Sequence, residues 1–114
     1  MTERRSDCPV SCVLDLVGDR WTLLVVRDLL LGKEHFDDFL ASPEKIATNI
    51  LSRRLHTLQS LGYVERLPGK KDRRRHTYRL TDQGQPLRKL VRSMKKWGLK
   101  NIPGTRFPEP APTE

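Results

Sequence analysis

Residues 46–79 read IATNILSRRLHTLQSLGYVERLPGKKDRRRHTYR, and this stretch decides the fold. Its first part, Ile46 to Leu61, sets Ile46, Ile50, Leu51, Leu55, Leu58 and Leu61 on one face of a helix. That is the 3.6-residue spacing of a segment laid against a core. Gly62 ends the helix. Tyr63–Leu67 then alternates as a strand does, Pro68-Gly69 turns into a basic loop, and Tyr78–Leu80 returns as a second strand.

The flanking sequence supplies the rest of one domain. After a charged lead-in, Val10, Val13, Leu14 and Val17 fall at i, i+3, i+4 and i+7, with Pro9 at a favourable first position. Gly18 closes that helix, and Asp19 can cap the next, Arg20 to Leu31, which is apolar through Trp21, Leu24, Val25 and Leu29. Phe36–Leu40 is a short helical segment, and Ser42-Pro43 marks a turn. Beyond the hairpin, Thr81 offers a cap for a last helix to about Lys100, with Leu87, Leu90, Val91, Met94 and Trp97 as its apolar stripe. The expected order is four helices, two strands and a helix: mainly α with a small β-hairpin, a winged helix-turn-helix. The expected boundaries are a flexible lead-in over 1–8, the domain over 9–100, and a disordered proline-rich tail over 101–114.

On the 46–61 helix the face opposite the core carries Thr48, Asn49, Ser52, Arg53 and His56. These side chains can contact base edges or phosphates: Asn pairs with adenine, Arg with guanine, and hydroxyls with either. Thr48, Asn49, Ser52 and Arg53 lie in the N-terminal half, the part of a recognition helix that reaches bases. Arg54, on the margin of the apolar face, is expected to be structural or phosphate-bound. The hairpin holds seven Lys or Arg residues between Arg66 and Arg79 against the single acid Asp72. Of these, Lys70, Lys71, Arg73, Arg74 and Arg75 form a loop suited to phosphates, raising affinity through counterion release. An arginine at its tip could enter a narrow minor groove. The reading is a sequence-specific binder of double-stranded DNA.

Composition is compatible. The chain has 114 residues and a net charge of +8, from 22 Lys and Arg against 14 Asp and Glu, which favours a nucleic acid or an acidic surface. No apolar run approaches the roughly 18 residues that cross a bilayer, so no membrane partner and a cytoplasmic, nucleoid-associated location are expected. Two cysteines and three histidines are too few for a zinc finger or a disulfide scaffold, so no metal is expected. No paired carboxylates, glycine-rich phosphate loop or Cys/His/Asp arrangement stands out, so no catalytic residue, enzyme activity or cofactor is expected. Single-strand readers stack bases on exposed aromatics, and the seven here fall mostly on apolar faces. The alternatives are a winged-helix protein-interaction module and a non-specific nucleic-acid-binding protein. No small-molecule effector, operator or sign of regulation is legible.

The segments CPVSCVLDLVGDRWTLLVVRDLLLG, HFDDF, IATNILSRRLHTLQSLGYVER and YRLTDQG together resemble the HxlR-type family of bacterial and archaeal transcriptional regulators, from Cys8 to about Gly98. The resemblance implies a homodimer joined through its N- and C-terminal helices and a role in regulating nearby genes. The apolar residues fit that: Val10, Val13, Leu87, Leu90, Val91, Met94 and Trp97 exceed what a small core needs. A two-fold axis would set two recognition helices about 34 Å apart on an inverted-repeat operator. The resemblance also implies that Cys8 is a candidate sensor of oxidants or electrophiles; a helix N-terminus beside Arg4 and Arg5 would favour its thiolate. Cys12 reads as a core residue. Two departures stand out: His35 replaces a commonly basic residue before Phe36, and the wing is richer in arginine.

Overall fold

The computed structural model describes residues 4–108. Its elements are α1 (Pro9–Val17), α2 (Thr22–Leu30), α3 (Phe36–Leu40), α4 (Thr48–Ser60), β1 (Val64–Leu67), β2 (Thr77–Leu80) and α5 (Leu87–Asn101). The strands form one antiparallel ribbon in which Val64 faces Leu80 and Leu67 faces Thr77. This is the expected winged helix-turn-helix.

The middle helix α2 is its hub, packing on α4, α5 and β2. Both Val25 and Val26 are buried, and Arg27 and Asp28 with them, so α2 is enclosed on more sides than the single apolar stripe expected for it. Phe39, Ile46, Leu51, Leu55, Leu58, Val64 and Val91 complete the core. Phe39 meets the edge of Tyr78 with ring centroids 6.3 Å apart, which seats the hairpin on the helices.

The starts of α4 and α5 moved for physical reasons. Helix α4 begins at Thr48 rather than Ile46, because Lys45 takes a left-handed φ of 56° and Ala47 is extended. Its end is as expected: Gly62, at φ 82°, lets its own N–H bond Gln59 O and the Tyr63 N–H bond Leu58 O, a Schellman cap that an L side chain would strain. Helix α5 begins at Leu87 rather than Thr81. Thr81 does cap, through the Gly84 N–H at 3.1 Å, but it caps a separate turn, since Pro86 has no N–H with which to continue the ladder.

Asn101 closes α5, and Thr105 folds back to donate its hydroxyl to Gly98 O and Ile102 O at 3.1 and 2.9 Å. Lys95 sits 4.3 Å over the Phe107 ring. The rest of the expected lead-in and tail, residues 1–3 and 109–114, lies outside the described residues.

Candidate nucleic-acid interface

The inner face of α4 is fixed by Leu51, Leu55 and Leu58, each at most 2% exposed. Rotation about the helix then leaves Thr48, Asn49, Ser52, Arg53 and His56 all exposed. The five expected groove-facing residues thus share one solvent-facing surface. Starting the helix at Thr48 places Thr48 and Asn49 in its first turn, where no side chain caps the free N–H groups and where an anion is favoured.

Arg54 behaves differently. It is half-buried, and its guanidinium lies 3.6 Å from Asp19, which makes it structural as expected. Asp19 also accepts the N–H groups of Trp21 and Thr22, each at 3.0 Å, and the Thr22 hydroxyl. The link between α1 and α2 is therefore tied directly to α4. Burial pushes the Asp19 carboxyl up, but those hydrogen bonds and Arg54 outweigh it, leaving it below the ordinary carboxylate range. A carboxyl lowered by folding stabilises above its unfolded pKa and loses that contribution as pH falls through its folded value. Asp19→Ala is expected to cost about 0.5–2 kcal/mol at neutral pH, with the gap narrowing once pH falls below the ordinary carboxylate value of about 3.9; thermal melts of both proteins over an acid pH series check this.

The wing is more ordered than a basic loop need be. Asp72 accepts the Arg74 N–H on its carboxylate at 3.0 Å and the Arg75 N–H on its carbonyl at 3.0 Å, closing a turn that holds up Arg73, Arg74 and Arg75. Aspartate opening a turn is the sequence signal, and it assigns Asp72 a role beyond being the loop's one acid. A Cβ on Gly69 would stand 2.2 Å from the carbonyl oxygens of Asp72 and Arg75, so only glycine lets the loop fold back so tightly. Lys70, Lys71, Arg73, Arg74 and Arg75 are all exposed. Arg79 is opposite Glu65 across the ribbon and pairs with it, and the Arg74 Nε lies 3.4 Å from the Asp72 carboxylate, so two of the seven expected cations have an acid partner.

His35 has a local function of its own. Its Nδ1 lies 3.1 Å from His76 O, a hydrogen bond in the tautomer protonated there, and Tyr78 N–H donates to Glu34 O at 2.8 Å. The residue before α3 thus holds the base of the wing.

Two further expectations change, one on α5 and one at Cys8. The α5 stripe divides: Val91 is in the chain's own core and Leu87 packs against it, whereas Met94 and Trp97 are 54% and 63% exposed. Leu90 is half-buried, and Val10, Val13, Leu14 and Leu16 of α1 are exposed. The division follows from α5 lying on α2 along only one side, so Val91 is withdrawn from the expected intermolecular surface.

Cys8 is exposed at the N-terminal boundary of α1. The backbone N–H groups of Ser11 and Val10 hold its thiol below the ordinary range. The expected help from Arg5 is absent, because Arg5 pairs with Asp15 at 2.7 Å. Cys12 is half-buried and directs its S–H toward Ser6 O at 3.5 Å. Iodoacetamide should therefore alkylate Cys8 about tenfold faster than Cys12, and already below the pH at which an ordinary thiol reacts; peptide mass spectrometry over a pH series measures both.

Among the described residues no group of His, Cys, Asp or Glu is arranged to hold a metal ion, and no helix is long and apolar enough to cross a membrane.

Comparison with known proteins agrees with this geometry. The family model for the HxlR-like helix-turn-helix matches residues 16–106. An HTH-type transcriptional regulator of Mycobacterium tuberculosis (strain CDC 1551 / Oshkosh) is 38% identical over 99 residues, which is 87% of this chain and 62% of the relative. The chain thus spans about three fifths of the length of the mycobacterial relatives it matches. Among solved structures, PA1607 superposes with a TM-score of 0.78 at 32% identity, covering 96% of this chain and 82% of that one. The redox regulator HypR in its reduced form gives 0.75 at 29% identity, covering 84% and 95%. On the fold, the position of its exposed polar helix and the extent of these matches, the chain belongs to the HxlR-like helix-turn-helix family.

Proposed function

We propose that this chain is a homodimeric transcriptional regulator that reads an inverted repeat in double-stranded DNA. One observation carries the reading: an uncapped, polar, solvent-facing helix is followed directly by a turn that displays three consecutive arginines. Thr48, Asn49, Ser52, Arg53 and His56 enter the major groove, and Lys70, Lys71, Arg73, Arg74 and Arg75 lie on phosphates. The exposed apolar residues of α1 and α5, Val10, Val13, Met94 and Trp97 with Leu90 at their margin, form the dimer contact. The protein works in the cytoplasm on the nucleoid.

Cys8 is proposed as the oxidant- or electrophile-responsive group. Its support is an exposed thiol with a lowered pKa at the start of a helix that belongs to the proposed interface, together with the likeness to HypR, solved in reduced and oxidised forms. Modification there adds bulk beside Val10 and would act on DNA binding through the dimer.

The test separates reading from clamping. Duplexes selected by the protein from a random pool are titrated by fluorescence anisotropy against random DNA. Asn49→Ala and Arg53→Ala are each expected to lose about 1–3 kcal/mol on the selected sequence and little on random DNA. Arg74→Ala should weaken both alike and reduce the salt slope by about one. Equal behaviour of the two kinds of variant contradicts the division of labour. Equal wild-type binding to all duplexes would indicate a non-specific binder, and no binding at all an interaction module.

A further inference from the structure

Beneath the turn that leads into α4 lies a set of buried charges that neither the polar helix face nor the wing uses. Arg27 and Asp28 are 7% and 3% exposed, and Ser42 is 5% exposed. The Arg27 guanidinium grips both carboxylate oxygens of Glu44, at 2.7 and 2.8 Å. It also donates from Nε and Nη2 to Asp28 Oδ1, at 3.1 and 2.9 Å. The other oxygen of Asp28 accepts the Ser42 hydroxyl, and Lys33 donates to that hydroxyl oxygen at 2.6 Å. Five side chains from α2, the α2–α3 link and the α3–α4 turn are thereby joined.

Stability alone does not account for such an arrangement. Well-packed apolar residues of similar volume do as well as a buried ion-pair network, or better. What charges offer instead is one permitted geometry, because a bidentate fork tolerates little displacement. The apolar contacts of α4 through Leu51, Leu55 and Leu58 fix its inner face but are non-directional and tolerate rotation or sliding. The network grips Ser42 and Glu44, immediately before the left-handed Lys45 from which the chain enters α4. Sequence reading needs the contacting side chains held within about 0.5 Å and 10–20°.

We infer that Arg27, with Asp28, Lys33, Ser42 and Glu44, is a positioning network that sets the axial placement and rotation of α4, and so governs sequence discrimination without touching DNA. The inference rests on the proposed DNA reading. Glu44 is at the surface end of the network, outside the apolar core; Arg27→Met retains an apolar stem and leaves Asp28 the Ser42 hydroxyl and Lys33 as partners.

The experiment measures two things on wild type, Glu44→Ala, Glu44→Gln and Arg27→Met: hydrogen exchange of the hydrogen-bonded amides from Leu51 to Leu55, the first of which donates to Ala47 O, and the ratio of affinities for the selected duplex and random DNA. Glu44→Ala and Arg27→Met should accelerate that exchange and lower the ratio about tenfold, with affinity for random DNA and its salt slope unchanged. Glu44→Gln, which keeps one acceptor for Arg27, should restore part of the ratio. An unchanged ratio in folded variants overturns the inference, as does a parallel fall in both affinities that tracks lower melting temperature. If wild type itself prefers no duplex, the DNA reading fails separately, and exchange decides: acceleration confined to 51–55 supports the positioning role, and none overturns it.

Discussion

Replacing Lys70, Lys71, Arg73, Arg74 and Arg75 together by glutamine is expected to flatten the salt dependence of DNA binding by about 4.5 units of log–log slope. Each phosphate neutralised on a duplex contributes about 0.9 to that slope. A fourfold rise in salt would then cost wild type about 500-fold more affinity than the variant. All five side chains are exposed, so the fold should not register their loss beyond about 0.5 kcal/mol. The turn itself depends on Asp72 and Gly69, which the variant retains. Because phosphate contacts carry no base information, the preference for the selected duplex over random DNA should survive while both affinities fall. Anisotropy titrations at several salt concentrations give slope and preference together. A slope unchanged by the quintuple replacement would place the wing away from the phosphates.

The second large effect concerns the exposed apolar residues of α1 and α5. Val10 and Trp97 are 68% and 63% exposed in the single chain, so Val10→Asp with Trp97→Asp removes nothing from the monomer's own core. In a dimer the same substitutions would bury two carboxylates per chain without partners, a penalty of several kcal/mol. Sedimentation should therefore show a monomer. Affinity for the inverted repeat should fall about 10²–10⁴-fold, the range by which linking two binding modules exceeds one, while affinity for a single half-site stays the same. A doubly substituted protein that still sediments as a dimer would locate the contact elsewhere. Val91→Asp is the informative contrast: Val91 is in the core, so that change should unfold the chain rather than dissociate it.

The contrast between Val91 and Trp97 shows what a stripe on a helical wheel conveys. Both belong to the same periodic set in the sequence, and periodicity states only that the set is apolar on one side. Which members face α2 and which face solvent depends on where α2 crosses α5. The same holds for the wing: seven cations were countable, but Arg79 is matched to Glu65 by strand register. Arg5, placed beside Cys8 in sequence, reaches Asp15 instead. The Arg27 network left a trace, a charged pair inside the apolar run LLVVRDLLL. Its partners Ser42 and Glu44 are 14 and 17 residues from Asp28 and Arg27 and carry no periodic signal.

The sequence by itself determined the kinds of element, their order, the polar face of α4 and the basic wing, because helix and strand periods and turn-forming Gly, Pro and Asp are local properties of the chain. Tertiary structure alone decided where α4 starts, which cations are paired, which apolar residues remain exposed, and that Asp19 meets Arg54 of α4 while the buried charges of α2 grip the turn before it. Those are pairings between distant residues, and a pairing is fixed by the packing of whole elements rather than by any pattern within one of them.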